Sequence, residues 1–208
     1  MTQHELLQEG KLLPLMEEFY SLQGEGHHTG KAAWFIRIGG CDVGCRWCDV
    51  KESWNADMHP LTAADLIVEH AMENPAKAVV ITGGEPLQYN LDYLCGKLKQ
   101  AGIKTYLETS GSEPLSGTWD WICLSPKVNA PPLPELLSGA DELKVIIHNS
   151  DDFEWAEKNA LLVRPECKLL LQPEWSQYQK MIHQIVDYIL HHPKWTISLQ
   201  AHKFMHIP

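Results

Sequence analysis

Short apolar runs alternate with helical patterns along most of the chain. The runs are three to six residues long and are bounded by polar, glycine or proline residues, which is typical of buried strands. They lie at residues 33–38, 78–81, 105–108, 121–124, 143–147, 169–171 and 195–199. Helical spacing of apolar residues is clearest at Met181, Ile182, Ile185, Val186, Ile189 and Leu190. The chain is therefore predicted to alternate strands with helices.

Two helices carry end signals. Thr62 and Asp65 have the spacing of a capping box, which predicts a helix from residue 62 to about 72. Gly102 predicts the end of a helix over residues 91–101. A third helix is predicted over about 152–159, after the strand run at 143–147.

Alternation of strands and helices implies βα units and a mainly parallel sheet. A complete eightfold barrel needs about 250 residues, whereas this chain has 208, and its proline-rich stretch from 111 to 139 lacks a full helical pattern. We therefore predict an α/β fold: an incomplete, open (β/α) barrel of about six mainly parallel strands, forming one domain over residues 1–208. Ligands of such folds lie at the carboxyl ends of the strands.

Composition narrows the function classes. The formal net charge is −10, which argues against broad nucleic-acid binding. No stretch approaches the roughly 18 apolar residues of a membrane span. The first residues lack the basic start and apolar run of a signal peptide, so a reducing, cytoplasmic location is expected.

Three cysteines within eight residues, Cys41, Cys45 and Cys48, carry the strongest chemical signal. Three thiolates can hold three irons of a [4Fe-4S] cluster and leave the fourth open to a small molecule. Zinc is the alternative, with His27 or His28 as fourth ligand, although no second cysteine pair follows. The spacing CxxxCxxC resembles that of the radical S-adenosylmethionine (radical SAM) enzymes. The other cysteines, Cys95, Cys123 and Cys167, have apolar neighbours and are expected to pack as small hydrophobes.

Further motifs directly follow apolar runs. Gly83, Gly84 and Glu85 follow the run at 78–81, and the glycines let backbone approach a ligand closely. Backbone carbonyls and the Glu85 carboxylate could accept hydrogen bonds from an ammonium group, and radical SAM enzymes use a similar motif for the amino group of S-adenosylmethionine. In that context the contacts to its ribose and adenine are predicted at Glu108, Ser110, Ser125, Pro126 and Lys127. Lys144 lies within an apolar strand, either paired inside the protein or exposed at an edge.

The N-terminal segment indicates which family of radical SAM enzymes the chain resembles. Residues 19–26 (FYSLQGEG), His28-Thr29-Gly30 and the approach to the cysteines at 35–37 resemble 7-carboxy-7-deazaguanine synthases. The resemblance implies that 6-carboxy-5,6,7,8-tetrahydropterin is converted to 7-carboxy-7-deazaguanine with loss of ammonia. It also implies that a 5′-deoxyadenosyl radical removes hydrogen from C6 of the pterin and that S-adenosylmethionine is later re-formed.

Site residues follow from the same resemblance. The implied substrate contacts are Leu22, Gln23, Gly24, Arg37, Thr82 and the terminal carboxylate of Pro208. The implied cofactor contacts include Trp47, Cys48 and Asp49. A homodimer and an electron donor such as flavodoxin are further expectations.

One position departs from the family pattern. A threonine that ligates magnesium commonly lies two residues after the last cluster cysteine, but this chain has Val50 there. Magnesium prefers oxygen ligands. The ion could bind through substrate, water and Asp49, but a weaker magnesium dependence is expected.

Two alternatives remain at this stage. A glycyl-radical enzyme activase would share the cluster spacing and the short barrel, but it would need a protein partner and would leave residues 22–26 unexplained. A non-catalytic zinc-binding module would contain one zinc ion in place of four irons and four sulfides.

Overall fold

A single mixed β-sheet runs through the computed structural model, which describes residues 2–208. Its nine strands are β1 (Leu12–Leu22), β2 (Ala32–Ile38), β3 (Leu61–Ala63), β4 (Ala78–Gly83), β5 (Lys104–Thr109), β6 (Trp121–Leu124), β7 (Glu142–Ile147), β8 (Lys168–Pro173) and β9 (Trp195–Ile197). The order across the sheet is β3-β1-β2-β4-β5-β6-β7-β8-β9.

Helices follow most of the strands. Those described are α1 (Gln3–Gln8), α2 (Ala64–Met72), α3 (Asp92–Gln100), α4 (Pro134–Gly139), α5 (Asp152–Ala160), α6 (Tyr178–His191) and α7 (Ala201–Met205). Gly102 has a φ of +71° just after α3, so the predicted end signal of that helix is confirmed. Within residues 2–208, no helix is long and apolar enough to cross a membrane.

Seven strands, β2 and β4 through β9, run parallel to one another. β1 pairs antiparallel with both β2 and β3. Because β3 and β9 end the series without pairing with each other, the barrel is open. The predicted open, mainly parallel architecture is confirmed, with seven parallel strands and two antiparallel strands that the apolar runs did not indicate.

The predicted capping box at Thr62 is wrong. Thr62 pairs with Leu13 as part of β3, and α2 begins only at Ala64, after an N-cap residue without a side-chain hydrogen bond. The Thr62 hydroxyl donates to the Pro60 carbonyl, and the Asp65 carboxylate accepts from Tyr93 instead. Pairing with β1 therefore outweighs the local helix signal.

Alternating residues of the parallel strands have different surroundings. One set packs under the helices in the main core and includes Ile36, Ile81, Leu107, Leu143 and Val145. The other set faces the barrel interior, where a small apolar cluster of Ala33, Phe35 and Val80 gives way to polar side chains. The inward residues that line the interior cavity are Phe35, Arg37, Thr82, Glu108, Lys144, Ile146 and Gln172. A strand period of two thus separates a dry core from a polar site.

Candidate active site

A cavity of about 260 Å³ lies inside the open barrel at the carboxyl ends of the parallel strands. Every residue that the sequence predicted as a site residue lines it except Pro126. The carbonyl of Pro126 instead accepts a 3.4 Å hydrogen bond from the Trp155 indole of α5. The structure therefore brings the scattered sequence motifs to one place, as their position after the strand runs predicted.

The cysteine loop leaves β2 and presents three free, half-buried thiols to the cavity. Its ends are fixed by backbone hydrogen bonds, from Gly40 to the Ser53 carbonyl (2.6 Å) and from Cys41 to the Trp54 carbonyl (3.2 Å). Burial raises the pKa of the Cys41 and Cys45 thiols. Lys127 partly offsets this effect at Cys45.

Two glycines let the end of β4 press against β2 and this loop. A β-carbon on Gly83 would lie 2.3 Å from the Ile38 carbonyl oxygen, and one on Gly84 would lie 2.0 Å from the Gly40 carbonyl oxygen. Gly83 also has a φ of +124°, which L side chains rarely adopt. The glycine pair is therefore needed for a close approach within the protein, in addition to any approach to a ligand.

The Glu85 carboxylate is only 1% exposed and is fully engaged by the protein. Thr109 Oγ1 donates to Oε1 at 2.6 Å, while the amide and hydroxyl of Ser110 donate to Oε2 at 2.8 and 2.5 Å. The Leu87 amide also donates to Oε1. Four donors fill the acceptor sites of the carboxylate, so Glu85 ties the ends of β4 and β5 together.

Lys127 and Trp47 form another wall of the cavity. The Lys127 ammonium donates to the Ser125 carbonyl and hydroxyl at 2.6 and 2.7 Å and lies 5.6 Å from the centre of the Trp47 ring. Burial lowers the pKa of Lys127. A flat aromatic surface beside a cation and a hydroxyl suits a nucleoside.

Arg37 and Thr82 are direct neighbours in the pairing of β2 with β4, and both line the cavity. Arg37 Nε lies 3.0 Å from Glu17 Oε1, but it is buried and lacks a hydrogen bond of good geometry within residues 2–208. The guanidinium packs 5.6 Å from the centre of the Phe19 ring. The Arg37 side chain is half-buried, and a guanidinium with unused donor capacity suits an anionic ligand.

The floor of the cavity is made by the segment that follows β1. Gln23 Nε2 donates to Glu108 Oε1 at 2.8 Å, and the Glu25 amide donates to Gln23 Oε1 at 3.0 Å. Gly26 has a φ of +69°, and a β-carbon there would lie 2.1 Å from Glu142 Oε1. The segment thus closes one side of the barrel interior, and its amide and carboxylate side chains line the cavity.

The C-terminal segment lines the cavity beside the 22–26 segment. The Ala201 amide donates to the Gly24 carbonyl at 2.8 Å, and Lys203 Nζ donates to Asp49 Oδ2 at 2.9 Å. The terminal residue Pro208 lines the cavity and accepts a 3.2 Å hydrogen bond from the Ser21 hydroxyl. Burial lowers the pKa of His202, which keeps its imidazole neutral at pH 7.

Comparison with known proteins identifies the family. The Radical SAM superfamily profile matches residues 35–162. The chain is 55% identical to 7-carboxy-7-deazaguanine synthase of Flavobacterium psychrophilum, over 97% of this chain and 96% of that protein. It is 48% identical to the Synechocystis protein of the same name, over 92% of each chain. The chain belongs to the 7-carboxy-7-deazaguanine synthase family.

The fold of this family member agrees with that of a solved relative. The crystal structure of QueE from Escherichia coli superposes with a TM-score of 0.84 at 29% identity and covers 97% of this chain and 99% of that one. The family resemblance and the radical SAM fold inferred from the sequence are therefore confirmed. The activase and the zinc module lose their support.

Radical SAM membership implies a [4Fe-4S] cluster and S-adenosylmethionine, and the residues present fit both. Three unpaired thiols line one cavity with an aromatic ring, a lysine and the two glycines of the β4 end. The zinc alternative fits less well, because His27 and His28 stack on Trp121 and Tyr106, near the amino ends of the strands.

Sequence reasoning missed several residues of this synthase site. The cavity is also lined by Phe19, Glu25, Phe35, Lys144, Gln172, Gln200 and His202. A usable signal existed for Lys144, because Glu142, Lys144 and Ile146 alternate with strongly apolar residues and so share the inner face of β7. The family resemblance extends to residues 200–203, but it left open whether His202 faces the pocket or solvent and assigned no role to Gln200. Gln200 belongs to a turn and His202 to a five-residue helix, and both line the cavity.

Proposed function

We propose that this chain converts 6-carboxy-5,6,7,8-tetrahydropterin into 7-carboxy-7-deazaguanine with loss of ammonia. The observation that carries the proposal is one cavity in which three cysteine thiols face Arg37, Thr82, the 22–24 segment and the C-terminal residue. Chain-wide identity to synthases of this name supports the same substrate.

Cys41, Cys45 and Cys48 would hold the cluster. A [4Fe-4S] cluster with an open iron, together with S-adenosylmethionine, supplies a deoxyadenosyl radical for hydrogen abstraction. The protein has to bind the two small molecules side by side, exclude water and hold the reacting carbon still. Burial of the cavity between the sheet and the C-terminal segment serves these needs.

Arg37 would bind the carboxylate of the pterin. Its Nε atom is buried and lacks a hydrogen bond of good geometry among the described residues, and a guanidinium can hold a carboxylate with two parallel hydrogen bonds. Thr82 lies beside it on β4 and would add a hydroxyl contact. This pair would place the substituted carbon of the pterin at a fixed distance from the cysteine loop.

The opposite edge of the pterin would meet the 22–24 segment and Pro208. Leu22 would supply apolar surface, and Gln23 and Gly24 would contact the pterin edge where they line the cavity. The terminal carboxylate of Pro208 is an acceptor that matches two adjacent N–H groups of a guanine-like edge. The Ser21 hydroxyl helps to hold this terminus in place.

S-adenosylmethionine would occupy the side of the cavity near β4, β5 and β6. Trp47, Cys48 and Asp49 would contact it from the cysteine loop, and Gly83 and Gly84 from the end of β4. Glu85 would act by fixing Ser110, since its carboxylate is filled by protein donors. The remaining proposed contacts are Glu108, Ser110, Ser125, Pro126 and Lys127.

Magnesium fits this site poorly. Val50 offers no side-chain oxygen, and one oxygen of the Asp49 carboxylate, Oδ2, is already bound by Lys203 at 2.9 Å and Gln200 at 3.2 Å. Magnesium requires an octahedron of oxygen ligands. The proposal is therefore a weak magnesium requirement, with any ion held mainly by substrate and water.

Other properties extend the same proposal. The protein is proposed to act as a cytoplasmic homodimer that receives electrons from a donor such as flavodoxin, without binding nucleic acid or membranes. The net charge of −10 agrees with the absence of a nucleic-acid partner.

The decisive experiment is an anaerobic assay of reconstituted, chemically reduced protein with S-adenosylmethionine and the carboxypterin, without any added protein. We expect a product with the mass of 7-carboxy-7-deazaguanine and an equal amount of ammonia. Deoxyadenosine without a deazapurine would contradict the proposal, and so would a requirement for a protein substrate.

A matched control uses the other cysteines. The triple variant Cys41→Ala, Cys45→Ala, Cys48→Ala should lose the iron–sulfur absorption and all activity. Cys167→Ala removes a buried thiol far from the cavity and should keep both. A brown, active triple variant would refute the cluster assignment.

A further inference from the structure

Lys144 is a buried cation for which the proposed contacts give no role. It lies on the inner face of β7, pairs in register with Leu170 of β8 and is only 3% exposed. Lysine is almost never fully buried unless it is paired. A charged group in this position therefore needs partners inside the barrel.

Its partners are two carboxylates from different parts of the chain. Lys144 Nζ lies 2.6 Å from Glu25 Oε2 and 3.1 Å from Glu108 Oε2. Glu25 belongs to the floor segment after β1, and Glu108 belongs to β5. One ammonium group thus fastens the floor segment to two strands of the barrel.

The second oxygen of each carboxylate holds a side-chain amide. Glu108 Oε1 accepts from Gln23 at 2.8 Å, and Glu25 Oε1 accepts from Gln200 at 2.9 Å. Both glutamines line the cavity. The contacts therefore run from Lys144 through Glu25 and Glu108 to the floor on one side and to the C-terminal segment on the other.

The charges in this network depend on Lys144. Burial would raise the pKa of Glu25, but the charge and hydrogen bond of Lys144 lower it to about 2. Burial likewise opposes the charge on Lys144, but the groups around it, Cys123, Glu108, Glu25 and Glu142, raise its pKa well above the usual range. Both partners are therefore ionised at neutral pH.

We propose that Lys144 is a positioning residue for substrate binding: through Glu25 and Glu108 it fixes Gln23 and Gln200, and with them the half of the cavity that receives the pterin. The inference rests on the proposed function. Glu108 is also a proposed contact of S-adenosylmethionine, so loss of Lys144 should weaken binding of both ligands. The larger effect should fall on the pterin, because Lys144 lies closer to Glu25 (2.6 Å) than to Glu108 (3.1 Å), and Gln23 and Gln200 both depend on this network.

The test compares three variants of the full-length, cluster-loaded protein. Lys144→Met removes the ammonium, Lys144→Arg keeps a charge with a different geometry, and Lys168→Met removes an exposed lysine from the neighbouring strand as a control. For Lys144→Met we expect kcat/KM for the pterin to fall about a hundredfold, as for a misplacement of about 1 Å. The KM for S-adenosylmethionine should rise by a much smaller factor than the KM for the pterin, and deoxyadenosine should form in excess over product.

A pH profile separates positioning from a merely structural role. The groups that face Lys144 are Glu25, Glu108, Cys123, Glu142 and Lys127. Without the ammonium, burial should raise the pKa of Glu25, so Lys144→Met should lose pterin binding as the pH falls toward 5. The unaltered protein and Lys168→Met should keep their pterin binding over the same pH range.

Each outcome of these measurements either supports or contradicts the positioning role of Lys144. Equal losses for both ligands, or a pterin KM unchanged in Lys144→Met, would overturn the positioning role. If Lys144→Met does not fold, Lys144→Arg decides. A pterin KM that rises severalfold, and by more than the KM for S-adenosylmethionine, supports the inference; equal rises or two unchanged values overturn it. Failure of the proposed function is distinguishable, because the unaltered protein would then make no deazapurine at all.

Discussion

The imidazole of His202 packs directly on the α-carbon of Gly24. A β-carbon on Gly24 would lie 2.2 Å from His202 Nδ1 and 2.6 Å from His202 Cβ. The Ala201 amide also binds the Gly24 carbonyl at 2.8 Å. The floor segment and the C-terminal segment, separated by most of the chain, therefore form one continuous wall of the cavity.

Gly24→Ala should separate these two segments. The added methyl group cannot be relieved by a rotation at the end of a side chain, because the His202 β-carbon is also too close. We expect the stability to fall by about 1–3 kcal/mol, as for other overpacked sites, and pterin binding to weaken at least tenfold by the misplacement argument. Chemical denaturation and pterin KM measure the two effects.

The control for this change is Gly96→Ala in α3. A β-carbon added to Gly96 would have no heavy atom outside the helix backbone within 4 Å, so we expect a gain of up to about 1 kcal/mol from helix propensity and unchanged kinetics. Unchanged pterin binding in Gly24→Ala would show that His202 and the C-terminal segment do not shape the substrate site.

Glu85→Gln should destabilise the end of β4. The amide group would place a donor against the donors of Thr109 or Ser110, whereas the carboxylate accepts from all of them. One unsatisfied buried donor costs about 1–3 kcal/mol, and the KM for S-adenosylmethionine should rise because Gly84 and Ser110 shift. Glu69→Gln, at an exposed position of α2, should change neither quantity. Equal stability of both variants would mean that the Glu85 contacts contribute little.

Local patterns were sufficient to predict the cluster loop and the strand ends. Arg37 and Thr82 illustrate why. Arg37 lies near the end of the run at 33–38 and Thr82 directly follows the run at 78–81, and parallel strands bring their carboxyl ends to the same edge of a sheet, so the two residues become register partners. Cys41 to Cys48 lie within one loop, and their spacing favoured a [4Fe-4S] cluster over zinc before the fold was known.

Contacts between distant segments could not be predicted in this way. Lys144 and Glu25 are 119 positions apart, and Gln200 and Glu25 are 175 apart. These residues come together only in the folded barrel, where distant segments of the chain line the same cavity. β1 was missed for a different reason: its pairing with β2 shifts between Leu15 and Glu17, so its residues do not alternate cleanly between buried and exposed.

Val50→Thr should strengthen magnesium binding. The Val50 side chain lines the cavity next to Asp49, and the Val50 carbonyl is fixed by the Ser53 hydroxyl at 2.6 Å. A hydroxyl placed there would add an oxygen ligand without moving the backbone. We expect tighter binding of Mn²⁺, used as a paramagnetic substitute in EPR titrations with the pterin present, and a larger response of activity to magnesium.

Val50→Ala is the matched control, since it shortens the side chain without adding an oxygen. It should bind Mn²⁺ as weakly as the unaltered protein. A strong magnesium requirement in the unaltered protein, with activity lost in chelator and restored only by magnesium, would contradict the weak dependence proposed from Val50.

His28 should make the fold sensitive to mild acid. Its ring stacks on Tyr106 with centroids 4.7 Å apart and also contacts Trp121. Burial, together with nearby positive charge from Lys31, lowers the pKa of His28 to about 4. An unfolded histidine has a pKa near 6.5, so between pH 6.5 and 4 the unfolded chain binds the proton more readily. The contribution of this group to the free energy of unfolding is therefore fully present above pH 6.5 and is lost as the pH falls toward 4.

The variant that tests this is His28→Phe, which keeps an aromatic ring without a titrating group. The free energy of unfolding is measured with urea on the cluster-free protein. Between pH 7.5 and 5.5 it should fall by about 1 kcal/mol more in the unaltered chain than in His28→Phe, a value reduced for partial exposure of the ring. His183→Phe, at an exposed position of α6, should keep the full pH dependence of the unaltered chain. Parallel pH curves for the unaltered chain and His28→Phe would show that protonation of His28 does not oppose folding, and the acid sensitivity would then have to come from other groups.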